Sequence, residues 1–199
     1  MDKKKLFDFL QKAKGMGYSE DDILSVLLAT NLLQKGQGQS ISGQSAGLNS
    51  GSNMSVGNIP ITQGFGQKSP YDVFSGGVNY GVDYAVGQGT PVKAPEGEWQ
   101  IEEVAGGSKR GFIGNRENQG YGNTIVIKNI NTGEKIRTSH LSQINVKPGQ
   151  TIQGGEVLGL SGATGNVTGP HTDVEYRNKL GALADILKTG YGRQLFAQK

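Results

Sequence analysis

Residues 121–139 read Tyr121-Gly122-Asn123-Thr124-Ile125-Val126-Ile127-Lys128-Asn129-Ile130-Asn131-Thr132-Gly133-Glu134-Lys135-Ile136-Arg137-Thr138-Ser139. Two runs rich in β-branched residues, 124–130 and 135–139, flank a break containing Asn and Gly, which is the signature of short strands joined by turns. The same texture extends in both directions. Candidate strands are 58–62, 80–85, 99–104, 156–160 and 172–177, and Asp173-Val174-Glu175-Tyr176 alternates polar with apolar. Gly, Asn and Pro punctuate them throughout. This pattern predicts a mainly β domain over residues 59–199, an antiparallel sandwich or open barrel. Residues 182–188 are read as one or two terminal helical turns.

Upstream the texture changes twice. Residues 36–58, GQGQSISGQSAGLNSGSNMSVGN, carry no charge and little that can be buried, so they read as a flexible linker. Residues 1–35 read as a short α-helical pair. Leu6, Leu10 and Ala13 recur at helical spacing, Gly15-Met16-Gly17 breaks the run, and Ser19 with Asp22 forms a capping box. Ile23, Leu24, Leu27, Leu28 and Leu32 then share a face. So small a pair cannot bury its apolar faces alone. It is expected either to dock on another protein or self-associate, or to cap the β domain of its own chain.

Composition narrows the class of function. Glycine accounts for 33 of 199 residues, more than double the usual ~7%, without the Gly-X-Y period of collagen. Zero Cys excludes disulfides, thiolate zinc sites and a Cys nucleophile. A net charge of +3 is too small to argue for nucleic acid. The longest apolar stretch, residues 23–33, is too short to span a membrane. It also follows Glu20-Asp21-Asp22, the wrong charge for a signal peptide. No membrane span and no cleaved signal are therefore expected.

Seven separated motifs in the β half stand in a recognisable order: Thr62-Gln63-Gly64-Phe65-Gly66, Asn79-Tyr80-Gly81-Val82-Asp83, Gly89-Thr90-Pro91-Val92-Lys93-Ala94, Tyr121-Gly122-Asn123, Ser139-His140-Leu141-Ser142, Val146-x-x-Gly149-x-x-Ile152-x-x-Gly155, and a Gly/Ser/Thr-rich run from Gly159 to His171. Over residues 59–180 the chain resembles the lysostaphin/LytM-type zinc endopeptidases. The resemblance implies their Gly-rich β fold and a groove for peptides of the bacterial cell wall, with Gly81, Tyr121 and Asn123 at that groove. Members hold zinc through H-x-x-x-D and the second His of H-x-H, and two further histidines assist catalysis.

The decisive positions differ here. Asn79 stands where the first zinc His is expected and Asp173 where the second is, so Asp83 alone matches among the ligands. The only two histidines, His140 and His171, fall on the two catalytic positions. Zinc prefers imidazole and thiolate, and a neutral amide oxygen is a poor ligand. An all-oxygen trio suits Mg²⁺, Mn²⁺ or Ca²⁺ better; alternatively His171 joins Asp83 and Asp173 in an altered zinc site. Gly81, on the same strand face as Asn79 and Asp83, would leave room for an ion.

Three functional readings follow. The leading one is a non-catalytic lysostaphin/LytM-like module without a cofactor, binding peptidoglycan peptides or a protein partner in the former groove. Such a module would serve as an amidase-activator-like scaffold or a phage tail component, virion-associated or cell-wall-facing rather than cytoplasmic. The second is an active metalloendopeptidase with a rearranged zinc site. The third is a purely architectural β domain whose binding resides in the N-terminal helices. Trp99 and Tyr121 are either core aromatics or stacking surfaces, and Lys109, Arg110 and Arg116 are read as a solvated loop.

Overall fold

The computed structural model describes residues 54–68, 75–107 and 110–196. The expected helical pair over 1–35 and residues 36–53 of the expected linker lie outside the described residues.

Twelve strands, all paired antiparallel, form two sheets among the described residues. They are β1 (Ser55–Val56), β2 (Ile59–Gln63), β3 (Val82–Tyr84), β4 (Pro91–Lys93), β5 (Glu98–Ala105), β6 (Thr124–Asn129), β7 (Lys135–Thr138), β8 (Gln143–Ile144), β9 (Thr151–Gln153), β10 (Val157–Leu160), β11 (Thr172–Arg177) and β12 (Leu183–Ala184). The large sheet runs β1-β2-β3-β11-β7-β6-β5-β9, with β12 also on β11; the small one runs β4-β10-β8. The mainly β, antiparallel expectation is met.

Alternation along the strands decides which face is buried. Ile125 and Ile127 of β6, Ile136 of β7, and Val174 and Tyr176 of β11 point into one core with Trp99 and Ile101 of β5. Val92 of β4 and Leu158 of β10 join that cluster, so both sheets share it. Each large apolar side chain removed from water contributes roughly 1.5–3 kcal/mol. A register shift between Ile101 and Glu103 inserts a bulge in β5, which sets Val104 opposite Ile125. Trp99 is fully buried, and its indole N–H donates to the Pro95 carbonyl at 2.9 Å, so it is a core aromatic.

Several local expectations change. β3 begins at Val82 rather than at Tyr80, because the Asn79 side chain accepts the Gly81 N–H at 2.8 Å and turns the chain before the strand starts. β1, within the stretch read as linker, pairs with β2 through Ser55–Pro60 and Val56–Ile59. Residues 182–188 give strand β12 followed by a 3₁₀ turn, Ile186–Lys188, whose first free N–H groups are capped by Asp185. Strand β12 forms because Leu183 and Ala184 find partners on β11.

Candidate functional site

The other face of the large sheet floors a cleft of about 460 Å³. On β11 the period of two puts Asp173 and Glu175 on this face, while Val174 goes to the core. The β3–β11 register sets Asp83 directly opposite Asp173, and the β7–β11 register sets Arg137 opposite Glu175. Asn79, His140, His171, Tyr121, Arg116 and Ile113 contribute to the walls.

The wall carrying Tyr121 and His140 depends on two loops that cross at a pair of glycines. Gly122 (φ 60°) and Gly165 (φ 77°) lie so close that a Cβ on Gly165 would meet the Gly122 nitrogen at 2.4 Å. The crossing is tied by Asn166 N–H to the Gly120 carbonyl (2.7 Å) and by Asn123 N–H to Thr164 Oγ1 (3.0 Å). His140, with φ of 64°, adopts a left-handed backbone conformation that is uncommon outside glycine. Its N–H donates to the Tyr121 carbonyl at 3.0 Å and its Nδ1–H to the Thr164 carbonyl at 2.8 Å. His171 donates Nδ1–H to the Gly169 carbonyl at 3.0 Å. A carbonyl can only accept, so Nδ1 carries a proton in both imidazoles. The two rings lie 4.7 Å apart, tilted by 51°. Burial, and secondarily the neighbouring His171, push the pKa of His140 down to about 3, against the raising effect of its bond to Thr164.

Tyr121 is held at its hydroxyl and at its ring face. Its hydroxyl donates to Glu175 Oε1 at 2.5 Å, and the Arg137 guanidinium lies 4.5 Å from its ring centroid. Arg137 also stands 3.9 Å from the buried Glu175 carboxylate. Burial, then the charge and hydrogen bond of Glu175, raise the phenol's pKa well above its ordinary value, so the hydroxyl remains a donor.

Of the residues singled out in the sequence, the structure brings Asn79, Asp83, Tyr121, His140, His171 and Asp173 to one cleft. Asn123 is a correction. It does not line the cleft; it is buried behind it, accepting from Gly107 N–H at 2.8 Å and donating to the Leu141 carbonyl at 2.9 Å, because both ends of its amide satisfy backbone. Gly81 is a second correction. No room for an ion is left above it: an added Cβ would stand 2.0 Å from Asp173 Oδ1, so the carboxylate packs on the glycine. Arg116, read as a solvated loop residue, reaches the cleft wall while remaining exposed. Glu175 was not singled out, although its place two residues beyond Asp173 on an alternating strand puts it on the same face.

Whether this donor set suits zinc is decided by Asn79. Its amide oxygen is committed to Gly81 N–H, and its amide nitrogen donates to Asp83 Oδ1 at 3.3 Å. Asn79 therefore presents an N–H where a ligand lone pair would be needed. Among the described residues, no three His, Cys, Asp or Glu side chains converge as a metal ion requires. Asn79 itself does not fit a zinc ion, which favours imidazole or thiolate in tetrahedral array.

The described residues form a Gly-rich antiparallel β domain with a cleft on the polar face of its large sheet. The match to Peptidase family M23 spans residues 77–184, more than half of the chain, and the chain belongs to that family. It is similar to lysostaphin of Staphylococcus staphylolyticus, 37% identical over 110 residues that make up 55% of this chain and 20% of that protein. It is likewise similar to the peptidoglycan DD-endopeptidase ShyA of Vibrio cholerae, 41% identical over 96 residues, 48% of this chain and 19% of that protein. Among solved structures, the catalytic domain of the antimicrobial peptidase lysostaphin from Staphylococcus simulans superposes with a TM-score of 0.55 at 30% identity. That superposition covers 67% of this chain and 92% of that domain. The matched part of this chain thus spans about a fifth of the length of these curated relatives.

Proposed function

We propose that the chain is a peptidoglycan-binding module on an M23 fold that does not hydrolyse amides, and that its cleft receives wall peptides. The observation that carries this reading is the Asn79 bridge: one amide satisfies both Gly81 N–H and Asp83 at the position of a zinc ligand. In this family zinc supplies an activated water and polarises the scissile carbonyl. His140 and His171 can accept and pass protons but are no substitute for a Lewis acid. What the cleft retains is shape, two imidazoles, the Asp83 and Asp173 carboxylates and a locked tyrosine hydroxyl. That peptidoglycan is the target rests on the similarity to lysostaphin and ShyA. A wall-facing setting, on a virion or in a cell envelope as scaffold or activator, belongs to the same proposal.

Co-sedimentation of the purified chain with insoluble peptidoglycan tests it. Pelleting that saturates, with no release of soluble peptide, is the expected result. No pelleting above a control protein of similar charge overturns it.

A second reading, a metalloendopeptidase with a rearranged ligand set, is favoured by the survival of both histidines side by side in the cleft. It predicts chelator-sensitive release of wall peptides that His171→Ala abolishes. Absence of release with Zn²⁺, Mn²⁺ and Co²⁺ alike removes it.

A further inference from the structure

The two most exposed large hydrophobic side chains among the described residues are neighbours at the rim of the cleft, Phe112 at 62% and Ile113 at 54%. Their loop is anchored. Gly111 N–H donates to the Ala163 carbonyl at 2.7 Å, Phe112 N–H to the Gly165 carbonyl at 3.1 Å, and Gly114 N–H to Asn166 Oδ1 at 2.7 Å. Buried Asn115 closes the turn, donating its N–H to the Phe112 carbonyl at 3.0 Å and accepting Glu117 N–H at 2.9 Å. A Cβ on Gly111 would stand 2.7 Å from the Ala163 and Gly165 carbonyl oxygens, so this loop is seated directly on its neighbour. Just beyond it, Asn118 and Gln119 both hold left-handed backbone conformations, with φ of 48° and 56°. Such conformations are costly for residues with side chains and persist only where the surroundings fix them. The rim is thus preformed, and it presents Ile113, Arg116 and Gln119 to the cleft.

Charge distinguishes this rim from the floor. The floor holds the carboxylates of Asp83, Asp173 and Glu175, whereas Arg116 is the only Lys or Arg among the described lining residues. Arg116 is exposed, and no ion pair or hydrogen bond engages its guanidinium among the described residues. Arg137, by contrast, lies against Glu103, Glu175 and the Tyr121 ring. A guanidinium stays charged at any physiological pH, and its planar fork matches the two oxygens of a carboxylate. We propose that Ile113 and Arg116 determine the specificity of the cleft, recognising a peptide in which a free carboxylate lies beside a small apolar side chain; the proposal rests on the wall-binding reading above and names its ligand chemistry. Arg116 takes the carboxylate, and Ile113 with Phe112 covers the apolar side chain. The floor carboxylates repel an anion, so the acidic group of the ligand lies at the rim and not over Asp83 and Asp173. A phosphate polymer would satisfy Arg116 as well, but it has no apolar side chain to cover Phe112 and Ile113, which favours a peptide.

Titration of the isotope-labelled full chain, followed by NMR, tests this with three probes: N-acetyl-trialanine, which has both groups, N-acetyl-trialaninamide, which lacks the carboxylate, and N-acetyl-triglycine, which lacks the methyls. N-acetyl-trialanine should bind about fivefold more tightly than its amide, the fold-change of an exposed ion pair, and more tightly than N-acetyl-triglycine. Arg116→Gln should erase the preference for acid over amide, and Arg116→Lys should restore part of it. Ile113→Ser should weaken acid and amide alike and leave their ratio unchanged. Both positions are exposed, so these variants should keep the Tm of the parent. Equal binding of acid and amide, a preference that survives Arg116→Gln, or no saturation by N-acetyl-trialanine overturns the proposal. Tighter binding of glycerol phosphate, or of phosphatidylglycerol vesicles, than of N-acetyl-trialanine overturns it in favour of a phosphate ligand. If peptidoglycan still pellets the chain after such a result, the wall-binding reading survives alone; if it does not, both fall.

Discussion

Replacing Gly81 by alanine probes the packing that defines the cleft floor. The added Cβ would lie 2.0 Å from Asp173 Oδ1, 2.8 Å from the Val174 carbonyl oxygen and 3.0 Å from its carbon. The carboxylate can rotate away, but the Val174 backbone belongs to β11 and is held by the β3 and β7 ladders. Relief therefore requires β3 to move away from β11 at Asp83–Asp173. Overpacking of this kind costs about 1–3 kcal/mol, and contact with backbone places Gly81→Ala near the upper end. For a domain of this size each 1 kcal/mol lowers Tm by roughly 2–4 °C, so a fall of about 5–10 °C is expected in thermal unfolding followed by circular dichroism. Gly169→Ala is the matched control: no atom lies within 4 Å of its added Cβ, and its φ is not in the left-handed region. Its Tm should stay within about 2 °C of the parent. Equal melting of the two variants would refute the claim that Asp173 packs on Gly81.

Tyr121→Phe removes a hydroxyl that donates to a buried carboxylate, and should lower unfolding free energy by about 1.5–3 kcal/mol; an unchanged urea midpoint contradicts this. His140 gives a pH signature. Its pKa falls from 6.5 unfolded to about 3 folded, so between those values the unfolded chain binds the extra proton. The stabilisation is complete above pH 6.5 and is lost as pH falls toward 3, with a slope of up to about 1.4 kcal/mol per pH unit. His171, Asp83, Asp173, Tyr121 and Glu175 share the cleft, so the test is a difference: His140→Gln should flatten the acid limb of stability against pH, and an unchanged limb removes the assignment. The double change Asn79→His with Asp173→His should create a zinc site that retains about one ion through dialysis; no retained zinc would mean that positions 79, 83 and 173 do not converge as a ligand set.

Much of the fold was legible because its strands are amphipathic with period two. The alternation at 172–177 and the β-branched runs at 124–130 and 135–139 located β11, β6 and β7 to within about a residue. The strands that escaped, such as β4, β8 and β9, are only two or three residues long. They exist because neighbours supply hydrogen bonds, which no local pattern announces. At the site, six of the residues named from motif order line one cleft. Sequence spacing failed at Asn79–Gly81, where a side chain to backbone bond bends the chain out of the strand, and at Asn123, whose amide is consumed by backbone. The Asp173–Gly81 contact and the Tyr121–Glu175–Arg137 cluster were invisible for another reason: both join segments tens of residues apart, through registers that only the assembled sheet defines.

We propose that Asn79 closes the metal position with hydrogen bonds. Zinc content of the purified chain, by elemental mass spectrometry after zinc loading and exhaustive dialysis, tests it most directly. A value close to zero is expected. About one tightly held zinc per chain would contradict it and place His171 among the ligands of a working metal centre.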